Sequence, residues 1–203
     1  MNKTIPGNGI RPNPGGDLPQ IDPTAFVDPT AQIIGKVHIG PRVYVACHAV
    51  IRADEPDKDG KIEPVVIEAE SNIQDGVIIH SRAGASVRIG PRASVAHGAI
   101  IHGPCTVGEG CFVALRAVLY SATLEDKVWV GIGSIIMRAT VPSHTMIPAG
   151  SVIRTESDVR TFRLIDKKEE KYQADVFAAA NGLREGYVAL YGERISEKVP
   201  GYS

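Results

Sequence analysis

The sequence predicts a mainly β protein: a three-sided coil of short parallel strands, one hexapeptide per side, with a C-terminal α-helix packed alongside. Three observations carry this. Large apolar residues recur at every sixth position, and a small or β-branched residue follows most of them by four. Aromatics make up only 5% of the 203 residues, while Gly (21) and Pro (14) are plentiful, so the core must be filled by layers of small aliphatics.

Residues 1–20 form an expected N-terminal extended segment, polar and rich in Gly, Pro and Asn through Pro19. It contains no apolar run of the kind a signal peptide needs. The repeat domain is assigned to residues 21–153. Its frame begins at Ile21, Val27, Ile33, Ile39, Val45 and Ile51, with Ala25, Ala31, Val37, Val43 and Ala49 in the small slot. It resumes at Ile67, Ile73 and Ile79, with Ser71 and Val77, and again at Ile89, Val95, Ile101, Val107, Val113 and Leu119. Ala93, Ala99, Cys105, Cys111, Ala117 and Thr123 follow in register; one rung then loses a residue, and Leu124, Val130 and Ile136 continue.

Neither the helical period of 3.6 nor simple alternation produces a recurrence of six. A coil with three flat sides does: about 18 residues complete a turn, and successive turns stack at the ~4.8 Å spacing of paired strands. Handedness does not follow from the period. Proteins carrying this hexapeptide repeat wind left-handed, against the usual right-handed crossover, and the chain resembles them, so a left-handed parallel β-helix is expected. Residues 154–203 are read as a C-terminal helical segment, its helix running from near Tyr172 to near Gly192 with Leu183, Tyr187, Leu190 and Tyr191 on one face.

Composition limits function. The formal net charge is -1, which gives nucleic acid no electrostatic footprint. No run approaches the ~18 apolar residues of a membrane span. Three cysteines leave at least one thiol without an intrachain partner, and cytoplasmic residence is expected.

Of six histidines, His38, His48 and His144 are read as solvated or locally bonded wall residues. His80, His97 and His102 differ by their phase. His80 follows Ile79 and His102 follows Ile101, and 22 residues separate them: one turn plus a four-residue insertion near Ala83-Gly84-Ala85-Ser86. If that insertion loops out at a corner, the two stand on adjacent turns of one face, close enough to share a metal. His97 occupies a different slot on a different face, so it completes the site only from a neighbouring chain in a threefold assembly. Three imidazoles with a fourth position left to water describe a catalytic zinc site; iron(II) or cobalt accept the same ligands.

At these residues the sequence resembles the γ-class carbonic anhydrases, over most of the chain from about Pro19 to Tyr191. The segments that carry the likeness are Arg52-Ala53-Asp54-Glu55, Asn72-Ile73-Gln74-Asp75-Gly76 with His80, and Ala96-His97-Gly98-Ala99-Ile100-Ile101-His102-Gly103-Pro104. The resemblance implies a homotrimer that reversibly hydrates carbon dioxide to bicarbonate by a metal-bound hydroxide at sites between subunits. His80 and His102 would come from one chain and His97 from the next. It further implies that Glu55 helps move the proton, that Gln74 bonds the reacting oxygen with Asn72 beside it, and that Asn181 on the C-terminal helix reaches the substrate pocket. Arg52, Asp54 and Asp75 match an interface network, and a bicarbonate contact is ascribed to the arginine. One departure stands out. The family's best-studied subgroup carries a long acidic loop after the first metal histidine, whereas Ser81–Arg88 is short and without a carboxylate, so proton export is expected through Glu55 and buffer. Two rival readings share the fold: a catalytically inactive metal-binding trimeric scaffold, and a hexapeptide-repeat acyltransferase.

Overall fold

The computed structural model describes residues 9–195; the outer parts of the two terminal segments, 1–8 and 196–203, lie outside the described residues. The chain forms a left-handed parallel β-helix with three faces of eight, seven and seven strands, followed by one long helix. Every pairing between strands is parallel and in register along each face, Ile33 opposite Ile51, Ile51 opposite Ile79, and Ile79 opposite Ile101.

Alternation within each short strand sends one side chain inward and its neighbours out. On the first face the inward column is Ile33, Ile51, Ile79, Ile101, Leu119, Ile136 and Ile153, each 0% exposed. Burying each such side chain contributes about 1.5–3 kcal/mol. Small residues sit where the wall bends, and Cys105 and Cys111 are buried among them as the repeat predicts. The shortened rung shifts this slot: Ala122, 1% exposed, fills the corner, and Thr123 turns out to solvent opposite Thr106. Losing a residue moves the bend back by one, so the placement of Thr123 inside is corrected. Close stacking also fixes the glycine at 131, where a Cβ would meet Ala149 N at 2.4 Å and Ile147 O at 2.6 Å.

Two insertions leave the wall between the first and second faces. One runs from Asp54 to Pro64, between the Val50–Ala53 and Val65–Ile67 strands; the other is Arg82–Ser86, between Ile78–Ser81 and Val87–Ile89. The first strand, Ile10–Arg11, lies within the extended N-terminal segment and pairs with Gln32–Gly35, adding a rung to the first face.

The helix α1 spans Lys167–Ile195, starting five residues before the sequence-based position. Asp166 explains the early start, because its Oδ1 accepts a bond from the Lys168 N–H and its carbonyl one from the Glu170 N–H. The face turned to the prism also differs from expectation. Ala180 and Arg184 are buried, Tyr187 and Tyr191 pack on Phe26 and Tyr44, while Leu183 and Leu190 stay about half exposed. Aromatic side chains on the third face, rather than aliphatics, select the contacts.

Candidate metal centre

Inward placement of Ile79 and Ile101 turns His80 and His102 outward on the first face. The parallel register sets His80 directly opposite His102 on one side and Arg52 on the other. The imidazoles meet edge to face with centroids 5.1 Å apart. Tyr120 continues the column, stacked on His102 at 5.4 Å, with the Arg138 guanidinium 5.8 Å from its ring centre.

The first of the two insertions brings carboxylates to this column. His80 Nε2 lies 3.2 Å from Glu55 Oε1 and 3.5 Å from Asp54 Oδ1. Neither contact has hydrogen-bond geometry, so His80 Nε2 and Asp54 Oδ1 are buried without a hydrogen-bond partner, and His102 Nδ1 is buried without one as well. Arg52 Nη1 donates to Asp54 Oδ2 at 2.9 Å, and Glu55 Oε2 accepts a bond from the Ala83 N–H at 3.2 Å, tying the two inserted loops together. Burial pushes the His80 pKa down and the Arg52 guanidinium adds to this, with Glu55 acting in the opposite sense.

These features fit a divalent cation. An orphaned buried polar atom costs roughly 1–3 kcal/mol, and here two imidazole nitrogens and a carboxylate oxygen are left in this state together. A ring held neutral keeps the lone pair that a metal requires. Even so, among the described residues no group of three or more His, Cys, Asp or Glu within the one chain is placed to hold a metal.

His97 stands at another corner, in the turn after Ser94–Val95 where the third face passes to the first. It is more than half exposed, and its Nδ1 lies 3.0 Å from Asp75 Oδ2, one turn earlier at the same corner. A carboxylate there favours the proton on Nδ1 and leaves Nε2 free as a ligand. Asp75 thus pairs with His97 inside the chain, whereas Arg52 and Asp54 pair with each other at the opposite edge of the first face. Gln74 lines a cleft of ≈ 410 Å³ between the third face and α1, together with Tyr44, Asp75, His97 and Phe112. Its Nε2 donates to Asn72 Oδ1 at 3.1 Å. Asn181 is half-buried on α1; Ala180 beside it lines this cleft, and Asn181 does not.

The ten candidate residues therefore fall into two half-sites. His80, His102, Arg52, Asp54 and Glu55 form one; His97, Asp75, Gln74 and Asn72 form the other, with Asn181 outside both. Two residues escaped the sequence reading, although register could have found them. Tyr120 follows His102 by one turn of 18, and Ser94 follows Asn72 by the same 22 that separates His80 from His102.

Comparison with known proteins identifies the family. No protein-family model matches the chain. It is 32% identical over 171 residues to carbonic anhydrase from Methanosarcina thermophila, covering 74% of this chain and 67% of that protein. It is also 32% identical over 179 residues to the carboxysome assembly protein CcmM of Nostoc, covering 83% of this chain but only 31% of that much longer protein. Among solved structures, a hexapeptide transferase family protein from Anaplasma phagocytophilum superposes with a TM-score of 0.67 at 24% identity, over 88% of this chain and 97% of the other, and shares its fold. The chain belongs to the γ-class carbonic anhydrase family.

Proposed function

We propose that the protein reversibly hydrates carbon dioxide at metal sites shared between subunits of a homotrimer. The observation that carries this is the pair of half-sites: His80 and His102 present orphaned nitrogens on one edge, and His97, backed by Asp75, presents a third imidazole on another. Family membership supplies the reaction.

His80 and His102 of one chain and His97 of its neighbour would hold the ion. Zinc suits three neutral imidazoles, and iron(II) or cobalt would also be accepted. When bound, the metal supplies the chemistry by acidifying a water so that it attacks carbon dioxide near neutral pH, an effect for which carbonic anhydrases are themselves the standard example. Gln74, anchored on Asn72, orients the reacting oxygen. Glu55 holds the departing proton, since its carboxylate lies beside His80 and is 44% exposed, in reach of buffer. Arg52, steadied by Asp54, offers a cation to bicarbonate beside His80.

A column of outward apolar residues on the first face supports the trimer. Ile78, Ile100 and Val152 are 41%, 37% and 51% exposed, and Val118 and Ile135 lie between them in register. Three cysteines, none of them in a disulfide, suit a reducing, cytoplasmic compartment. No described helix is long and apolar enough to cross a membrane.

A second reading, a metal-binding scaffold without activity, draws on the likeness to an assembly protein and on the absence of any carboxylate in Arg82–Ser86. Metal quantification coupled to stopped-flow hydration, on zinc- and iron-loaded protein, separates the readings. Hydration that falls together with bound metal in His102→Ala supports the proposal. Full activity in metal-free His102→Ala refutes the metal mechanism, stoichiometric metal without hydration assigns the scaffold, and thioester cleavage without metal assigns acyl transfer.

A further inference from the structure

Behind Gln74 the hydrogen bonds continue into the wall of the prism. Asn72 Nδ2 donates to Ser94 Oγ at 2.7 Å, and Asn72 Oδ1 receives the bond from Gln74 Nε2. Asn72 is 1% exposed and Ser94 0%, directly opposite one another in register on the third face. Tyr44 closes the other side of Asn72 in the same ladder.

We infer that Ser94 is a positioning residue for the reaction, setting through Asn72 the orientation of the Gln74 amide. An amide can present either end to a ligand, and nothing in its own shape chooses between them. The Ser94 hydroxyl is the acceptor that holds the Asn72 NH₂ group and so turns the Asn72 carbonyl toward Gln74. That carbonyl in turn retains the Gln74 NH₂ group, which leaves Gln74 Oε1 to meet a protonated oxygen in the cleft. Without the hydroxyl, Asn72 loses its buried partner and can rotate by half a turn; Gln74 then has an amide donor in front of it instead of an acceptor and rotates too. Removing a buried partner makes such a rearrangement favourable, because a polar group left unsatisfied in the interior is costly. Ser94 lies far too deep to touch substrate itself. This inference rests on the hydration reading for its kinetic consequence, but not for its structural one.

The test uses the full-length protein, with Ser94→Ala to remove the hydroxyl and Ser94→Thr to restore it. In metal-free ¹⁵N-labelled protein, side-chain NH₂ signals of Asn72 and Gln74, assigned with Asn72→Asp and Gln74→Glu, report the chain of bonds directly. We expect both signals to shift and to lose hydrogen-exchange protection in Ser94→Ala and to recover in Ser94→Thr. In the metal-loaded protein, Ser94→Ala should lower kcat about three- to tenfold, the worth of one neutral hydrogen bond, at unchanged metal content, again with recovery in Ser94→Thr. Unchanged amide signals in a folded Ser94→Ala protein overturn the inference, as does altered metal content accompanied by an unchanged kcat per bound metal. Should the parent protein fail to hydrate carbon dioxide, the amide signals alone decide, and the two failures remain distinct.

Discussion

Asp75 stands outside the proposed ligand set yet governs one member of it through a direct contact with His97. Its carboxylate is held beside His97 Nδ1 by the corner turn, where the Gly98 N–H donates to the Asp75 carbonyl at 2.9 Å. Replacement by Asn removes the charge and lets either tautomer of His97 persist. Asp75→Asn should therefore weaken metal binding about 10- to 100-fold, measured by competition with a chelator, without changing the thermal transition of metal-free protein. Sequence phase was sufficient to align His80 with His102, because both residues ride on the repeat. It set His97 on another face but was silent about the pairing of His97 with Asp75, since a contact at a corner depends on side-chain direction and not on the period. The burial of Ser94 was equally invisible, because the helix packs against its strand.

Individual strands here are two to four residues long and have no stability of their own; stacking provides it. That is why the hexad pattern revealed most of the wall, missing the Ile10–Arg11 rung before its first repeat and misplacing the corner where a rung loses a residue, at Ala122. The helix was less legible. Its first turn is charged and reads as solvated chain, yet Arg163 docks there: its guanidinium grips Glu169 through both carboxylate oxygens, at 2.7 and 2.9 Å. Arg163 and the Asp166 N–H together depress the Glu169 pKa from 4.5 to about 2. A depressed carboxylate stabilises the fold above its ordinary pKa, and that contribution is lost as pH falls from about 4.5 toward 2. Glu169→Gln should accordingly lower the unfolding midpoint at pH 7, by a modest amount because the pair is near the surface. The gap from the parent should close as pH drops through that window, as followed by circular dichroism.

Assembly decides whether the half-sites become sites. On each chain the apolar column from Ile78 to Val152 lies on the same face as His80 and His102, so covering it and completing the metal shell are one event in the proposed trimer. Ile135→Glu, two rungs beyond His102, places a charge in that column without touching a ligand. It should yield a folded monomer by sedimentation that has lost most of its bound metal; a metal-replete monomer would contradict sharing. Repeat proteins of this type interact mainly between nearest rungs and can fray from either end. Here one 29-residue rod, about 43 Å long, runs back along the stack, from Tyr172 at Trp129 to Arg184 at Thr24 and Tyr187 on Phe26, and the segment before it lays Arg163 and Leu164 beside the Thr145–Met146 rung. A strut laid across so many rungs of the third face ties distant turns to one another, so those rungs should melt together rather than one by one.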